Sequence, residues 1–194
     1  MTDEIDVLEC TRCEKLCDSR SRIVNGVGPT DAELLFVGEA PGQREDETGE
    51  PFVGRSGDVL DEALRDRGLA RRDVRITNCV RCRPPDNRDP TAEELSNCRE
   101  FLDREIDAVA PGVIVTLGKV PSEHLLGRSV AVTSEAGSLH DVRIGGAARR
   151  VLVCVHPAAT LYDPSQRETF DGALDEAVAL LDGDGGGQSR LGDF

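Results

Sequence analysis

Cysteine spacing is the first feature of this sequence that points to chemistry. Cys10 and Cys13 form a C-x-x-C pair, while Cys82 and Cys98 stand far along the chain with fifteen residues between them. The two pairs can meet only if the fold brings them together. Four thiolates arranged in this way suit either zinc or an iron-sulfur cluster, and the spacing alone does not separate the two.

The other three cysteines have different contexts. Cys17 lies four residues beyond Cys13 and could replace one of the four ligands, although we rank Cys10 and Cys13 above it. Cys79 and Cys154 lie beside or within apolar segments and are interpreted as buried thiols. Seven cysteines in a chain that begins without a secretory pattern favour metal ligation or free thiols over a disulfide framework.

A loop after the first apolar run is a second candidate site. Residues 38–42 read G-E-A-P-G, and residues 51–54 read P-F-V-G. A loop shaped by Gly and Pro after a strand presents backbone amides to a ligand, and the small Ala40 and Gly42 allow close approach. Phe52 could stack on a flat ring; the alternative is a phenylalanine that only fills the core.

Two polar residues follow apolar runs and could reach the same ligand. Asn78 offers a donor and an acceptor through its side-chain amide, and His156 stands directly before Pro157. Each could instead be a capping residue, or in the case of His156 a core histidine. His124 and His140 have no comparable context, and no role is assigned to them.

Four short apolar runs supply the elements that would position these residues. Residues 33–38, 74–78, 113–117 and 151–155 are predicted to be buried parallel strands. Helices are predicted from a cap at Ser56, from a Thr91/Glu94 capping box to about residue 110, after Gly118, and over residues 169–181. This alternation predicts a three-layer α/β/α sandwich with a central four-stranded parallel sheet, whose ligand sites lie beyond the carboxyl ends of the strands.

Length and composition favour one domain. The 194 residues are expected to form a single domain over residues 1–182, followed by a disordered Gly- and Asp-rich tail at 183–194. Neither a signal peptide nor a membrane-spanning segment is predicted, so a cytoplasmic location is expected.

The charge balance is unusual. The chain has 37 acidic and 23 basic side chains, a net charge of −14, and its only lysines are Lys15 and Lys119. Such a composition predicts a protein from a salt-loving source that stays hydrated in concentrated salt. Charge alone also favours a protein that avoids nucleic acid, because phosphate binding normally requires a basic surface.

Taken together, the motifs outweigh the charge and resemble the family 4 uracil-DNA glycosylases, the iron-sulfur branch of that superfamily. The matching segments occur in order and at family spacing over most of the chain. They are G-E-A-P-G at 38–42, E-D at 45–46, P-F-V-G-R-S-G at 51–57, T-N at 77–78, R-C-R-P-P at 81–85 and H-P-A at 156–158.

The resemblance implies a cofactor and a reaction. The cofactor would be a 4Fe-4S cluster with a structural role, held by Cys10, Cys13, Cys82 and Cys98. The reaction would be hydrolysis of the N-glycosidic bond of a deoxyuridine that has been flipped out of the DNA.

The resemblance also implies how the base is held. Phe52 would stack on uracil, and Asn78 would read its Watson-Crick edge. Backbone groups around Glu39, Ala40 and Pro41 would hold the carbonyls of the base. His156 would donate a hydrogen bond to O2 and stabilise the charge on the leaving base.

The sequence departs from better-known uracil glycosylases in the first motif, where Ala40 replaces a water-activating aspartate. Glu39 is the leading candidate for the general base and Glu45 is the second. A related branch that captures uracil covalently has a basic insertion after the second strand. The sequence between Asn78 and Cys98 has no such insertion, which predicts turnover.

The last motif also differs, because Leu161 is followed by Tyr162 and Asp163 where the family often has L-x-R. The preference for single- or double-stranded DNA is therefore left open, as is contact with a sliding clamp; a monomer is expected. Two alternatives remain at this point. One is a zinc-stabilised nucleic-acid-binding module without catalysis, and the other is a glycosylase with broader damaged-base specificity.

Overall fold

Five strands form one mixed sheet in the computed structural model, which describes residues 5–184. The order across the sheet is β2-β1-β3-β5-β4. The first four of these are parallel neighbours, and β4 pairs antiparallel with β5. The bounds are β1 Leu34–Gly38, β2 Arg75–Asn78, β3 Val113–Leu117, β4 Leu139–Ile144 and β5 Ala147–Cys154.

The prediction of a four-stranded parallel sheet is therefore wrong at one edge, where β4 adds a fifth, antiparallel strand. Strands β4 and β5 form a hairpin whose turn, Gly145 and Gly146, has φ values of 59° and 92°. Strand β4 alternates between exposed and partly buried residues and lacks the continuous apolar run of a central strand. A Gly-Gly turn between two such segments is a known hairpin signal, so the strand could have been found from the sequence.

Eight α-helices occur within residues 5–184. They are α1 Glu14–Ser19, α2 Gln43–Thr48, α3 Arg55–Asp66, α4 Ala92–Val109, α5 Lys119–Leu126, α6 Val132–Glu135, α7 Ala159–Tyr162 and α8 Ser165–Asp184. The capping box at α4 is confirmed, because Glu94 N donates to Thr91 Oγ1 at 3.2 Å and Thr91 N donates to Glu94 Oε2 at 2.8 Å. The predicted cap at Ser56 is wrong, since Gly54 occupies the N-cap of α3.

Helices cover both faces of the sheet. On one face, α3 and α8 pack on β-strand residues that include Phe36, Ile76 and Val115. On the other, α4 and α5 pack on Leu35, Val37 and Ile114. These buried apolar faces stabilise the sheet and leave the carboxyl ends of the parallel strands as the place where loops gather.

A buried ion triad joins β2, the loop after it and α4. Glu105 is fully buried and accepts from Arg75 Nε at 2.7 Å and from Arg81 Nη2 at 2.6 Å. Arg75 Nη1 also donates to the Gly28 carbonyl at 2.7 Å, which ties the N-terminal segment to the same triad. The absence of a side chain at Gly26 is required, because a Cβ there would overlap the Glu105 carboxylate.

Helix α8 extends the predicted last helix at both ends. Of the predicted tail, residues 185–194 lie outside the described residues. No helix within residues 5–184 is long and apolar enough to cross a membrane.

Candidate active site

The loops at the carboxyl ends of β1, β2 and β5 enclose a cavity of about 190 Å³. It is lined by Glu39, Ala40, Gly42, Glu45, Phe52, Ser56, Asn78 and His156. All but one of the predicted base-contacting residues therefore meet at one place. The exception is Pro41, which is buried and is not among the lining residues that the structure describes.

Phe52 lies in the wall of this cavity and also packs into the core. Its ring centroid is 5.9 Å from that of His156, with a tilt of 32° between the planes. Gly38 allows this arrangement, because a Cβ at that position would overlap both the Phe52 ring and the Asn78 amide. The cavity is thus bounded by a flat aromatic surface, an amide and an imidazole.

Asn78 ends β2 with its side chain buried at 3% exposure. Its amide makes no hydrogen bond with any of residues 5–184. Buried polar groups normally have partners, so an unpaired amide that lines a cavity is a candidate for contact with a ligand. This favours the recognition role over a cap.

His156 comes two residues after the end of β5 and has a defined tautomer. The backbone N–H of Ala158 donates to Nδ1 at 3.1 Å, which places the ring proton on Nε2. Burial lowers the pKa of His156 to about 4, although the Glu45 carboxylate opposes the shift. The imidazole is therefore neutral at neutral pH and can donate one hydrogen bond through Nε2.

Glu39 is a carboxyl group in the wall of the cavity with a raised pKa. Burial, followed by the charge and hydrogen bond of Asp89, raises the pKa of Glu39 to about 7. A carboxyl group with a pKa near the working pH is suited to general-base catalysis. Asp89 lies fifty residues away in the sequence and was not foreseen, because only the tertiary fold pairs the two side chains.

Glu45 is engaged by the backbone. Its Oε1 accepts from the N–H groups of Val53 at 3.1 Å and Gly54 at 3.2 Å, and its Oε2 accepts from Gly42 N at 3.1 Å. These bonds join the two loops that carry the cavity wall. Backbone N–H groups therefore occupy both oxygens of Glu45, which links the two loops.

The four predicted ligand cysteines approach one another between α1, α4 and the loop after β2. Cys98 lies close enough to Cys10 and Cys13 for their charges to raise its pKa, and Cys82 lies close to Cys98 and Cys10. Burial is the largest cause of these raised pKa values, which for Cys82 reach about 11. Cys17 donates through Sγ to the Cys10 carbonyl at 3.5 Å and so supports the same turn.

Hydrogen-bond donors surround these thiols. Arg20 donates to Cys82 Sγ at 2.9 Å and to the Cys10 carbonyl at 2.6 Å, and Asn97 donates to Cys13 Sγ at 3.5 Å. Within residues 5–184, no group of three His, Cys, Asp or Glu side chains has the geometry to hold one metal ion. The donors fit thiolate sulfur, because a charged guanidinium and an amide N–H stabilise negative charge there.

In a doubly covered α/β sheet, the carboxyl edge that holds this cavity is the usual place of a ligand site. Comparison with known proteins specifies the class. The family model described as the uracil DNA glycosylase superfamily matches residues 25–179.

Curated relatives narrow the class further. The type-4 uracil-DNA glycosylase of Archaeoglobus fulgidus is 41% identical over 170 residues, which cover 86% of this chain and 85% of the relative. The type-4 uracil-DNA glycosylase of Thermotoga maritima is 43% identical over 160 residues, covering 82% and 81% respectively. A type-5 uracil-DNA glycosylase of Pyrobaculum aerophilum is 32% identical over 182 residues, covering 78% and 79%. The chain belongs to the uracil-DNA glycosylase superfamily and, within it, to the type-4 family.

Proposed function

We propose that this chain hydrolyses the N-glycosidic bond of deoxyuridine in DNA and leaves an abasic site. One observation carries the proposal: Phe52, Asn78 and His156 face one small cavity in a chain of the uracil-DNA glycosylase family. The DNA backbone would pass the mouth of this cavity, and the uridine would be flipped into it. Family membership does not favour a non-catalytic zinc-stabilised module or a glycosylase of broader specificity.

Base recognition rests on Phe52 and Asn78. The Phe52 ring offers a face on which uracil stacks, and the Asn78 amide offers a donor and an acceptor to its O4 and N3–H. Because the buried amide has no partner among the described residues, binding uracil satisfies it.

Leaving-group stabilisation is the role of His156. As the bond between C1′ and N1 breaks, negative charge develops on uracil, and the Nε2–H of the neutral imidazole donates to O2. Donors that are already oriented at such a position stabilise the transition state without reorganisation. The hydrogen bond from Ala158 N to Nδ1 fixes the ring in the orientation that this requires.

Glu39 is proposed as the general base. In its ionised form it takes a proton from water as the water oxygen bonds to C1′ of the oxocarbenium-like sugar. Backbone groups around Glu39, Ala40 and Pro41 are proposed to hold the carbonyls of the base. Glu45 is retained as a catalytic candidate only in second place, because backbone N–H groups occupy both of its oxygens.

The four cysteines are proposed to hold a 4Fe-4S cluster. When bound, the cluster supplies Fe–S bonds that join the N-terminal segment to the loop after β2. Its four thiolate ligands would be Cys10, Cys13, Cys82 and Cys98. Arg20 and Asn97 would donate to the thiolates, whose protons are released on metal binding.

Cations near the cavity provide contacts for DNA despite the net charge of −14. Arg44 in α2 and Arg55 at the start of α3 are exposed and form no ion pair with residues 5–184. Lys119 starts α5, two residues after the end of β3, and stays exposed although it lies 3.9 Å from Glu123 Oε1. Such cations contact phosphates at the mouth of the cavity, while most other arginines are neutralised by carboxylates.

A uracil-containing oligonucleotide tests the proposal. Wild type, Asn78→Ala and His156→Ala are compared for abasic-site formation in salt raised stepwise toward molar concentration. His156→Ala is expected to lose about a hundredfold or more in rate, as for other oxyanion donors. His140→Ala, on the remote strand β4, is the matched control and should keep activity. Absence of product from the wild type in every condition would reject the function.

A further inference from the structure

Phe52 has an unfavourable backbone conformation for its residue type. Its φ is +55°, in the left-handed region that favours glycine. Among residues 5–184 three other non-glycine residues share a positive φ, Asp86, Asn87 and Ala110, and none of them lines the cavity. A strained aromatic residue in a binding pocket persists only if its surroundings hold it there.

Arg71 holds the carbonyl side of this residue. Its Nη2 donates to the Pro51 carbonyl at 2.6 Å and its Nη1 donates to the Phe52 carbonyl at 3.0 Å. The same Nη1 also donates to Asp61 Oδ1 of α3 at 2.9 Å, which anchors the guanidinium. One planar group therefore fixes two consecutive peptide carbonyls, the use to which the rigid fork of arginine is suited.

Glu45 holds the backbone on the other side of Phe52, at the residues that follow it. Glu45 accepts from the N–H groups of Val53 and Gly54, which directly follow Phe52. Gly57 is required as well, because a Cβ there would overlap the Phe52 carbonyl. Glu45 therefore constrains the backbone after Phe52, and Arg71 constrains the backbone at and before it.

We infer that Arg71 is a positioning residue for base binding, which acts only by holding Phe52 in the left-handed conformation that presents its ring to uracil. Arg71 is not among the residues that line the cavity. It lies in the short 3-10 turn Arg71–Asp73 before β2, outside the motifs that carry the family resemblance. The inference rests on the proposed stacking role of Phe52.

A double-mutant cycle tests it. Arg71→Ala and Arg71→Lys are each made in the wild-type and Phe52→Ala backgrounds, and KM, kcat and inhibition by free uracil are measured. In the wild-type background, Arg71→Ala should raise KM and the inhibition constant of uracil about tenfold, the order expected for two lost hydrogen bonds. Arg71→Lys, which can reach one carbonyl, should fall between. In the Phe52→Ala background the same substitutions should raise KM and the inhibition constant by less than about twofold, because the effects of interacting residues are not additive.

The neighbouring Arg72 is the matched control. Its side chain is 86% exposed and its ion pair with Asp73 spans 3.8 Å, so Arg72→Ala should leave KM unchanged. Thermal unfolding of each variant distinguishes a loss of stability from a loss of base binding. A loss of stability would appear equally in both backgrounds. If Arg71→Ala does not fold, the Arg71→Lys cycle decides.

The outcomes are distinguishable. Equal fold-losses with and without Phe52 would overturn the inference and leave uracil excision intact. An active wild type in which Phe52→Ala changes nothing would overturn both the stacking role and the positioning role. A wild type without uracil excision would reject the proposed function itself, and this inference with it.

Discussion

Replacing Asp89 by Asn tests whether Glu39 is the general base. Asp89 raises the pKa of Glu39 in two ways, by charge repulsion and by a hydrogen bond, in addition to the larger effect of burial. Asn removes the charge and can donate to the Glu39 carboxylate. Both changes stabilise the ionised form, so the pKa of Glu39 should fall, although burial keeps it above its ordinary value of 4.5.

The direction of the pH effect follows from the role of a base. Glu39 must be ionised to accept a proton, so the wild-type rate should rise with pH and level off above a midpoint of about 7. At pH 6 roughly one-tenth of the plateau rate is then expected. A fall of one unit in the pKa would raise this to about one-half. His156 stays neutral across this range, because its pKa is about 4.

Single-turnover rates between pH 5.5 and about 8.5 on a uracil-containing oligonucleotide provide the measurement. Asp89→Asn should move the midpoint down and leave the plateau unchanged. Asp86→Asn is the control, since Asp86 is exposed in the same loop and is not among the groups that shift the pKa of Glu39. An unchanged midpoint in Asp89→Asn, or the wild-type pH profile in Glu39→Gln, would refute the assignment of the base.

Two further predictions concern Glu45 and the cysteines. Glu45→Gln keeps an oxygen that can accept from the N–H groups of Val53 and Gly54. Its kcat/KM should therefore fall by no more than about tenfold, and that of Glu45→Ala should fall much further. Equal losses in the two variants would instead indicate that Glu45 acts as a base. Arg20→Ala removes the hydrogen-bond donor to Cys82 Sγ. Purified Arg20→Ala protein should therefore lose its visible cluster absorbance faster than wild type when a chelator is added. Arg22→Ala is the control. Equal retention in the Arg20 and Arg22 variants would contradict a supporting role for Arg20.

The sequence predicted the parts of the fold that local pattern determines. Strands β1 and β3 are short apolar runs between polar or glycine residues, and a run of this kind is buried on both faces. Asn78 and His156 lie at the carboxyl edge of the sheet as predicted, because Asn78 is the last residue of β2 and His156 comes two residues after the end of β5. Their roles in the reaction stay predictions.

Features that depend on the packing of distant segments were not foreseen. The carboxyl pair of Glu39 and Asp89 has no local signature in the sequence, and neither do the hydrogen bonds from Arg71 to the loop that carries Phe52. The cap at Ser56 was wrong because the loop before α3 is held by Glu45, which places Gly54 at the N-cap. In each case the missing information was a side chain from another element.

Because the triad of Arg75, Arg81 and Glu105 is buried, the stability of the fold around it and the binding of DNA should respond differently to ionic strength. These charges are shielded from mobile ions, so added salt leaves unchanged the attachment of the loop that follows β2 and carries Cys82. Exposed cations near the cavity feel the full screening when they meet phosphate. Salinity should therefore weaken the encounter with DNA while the chemistry within the bound complex proceeds at a constant rate.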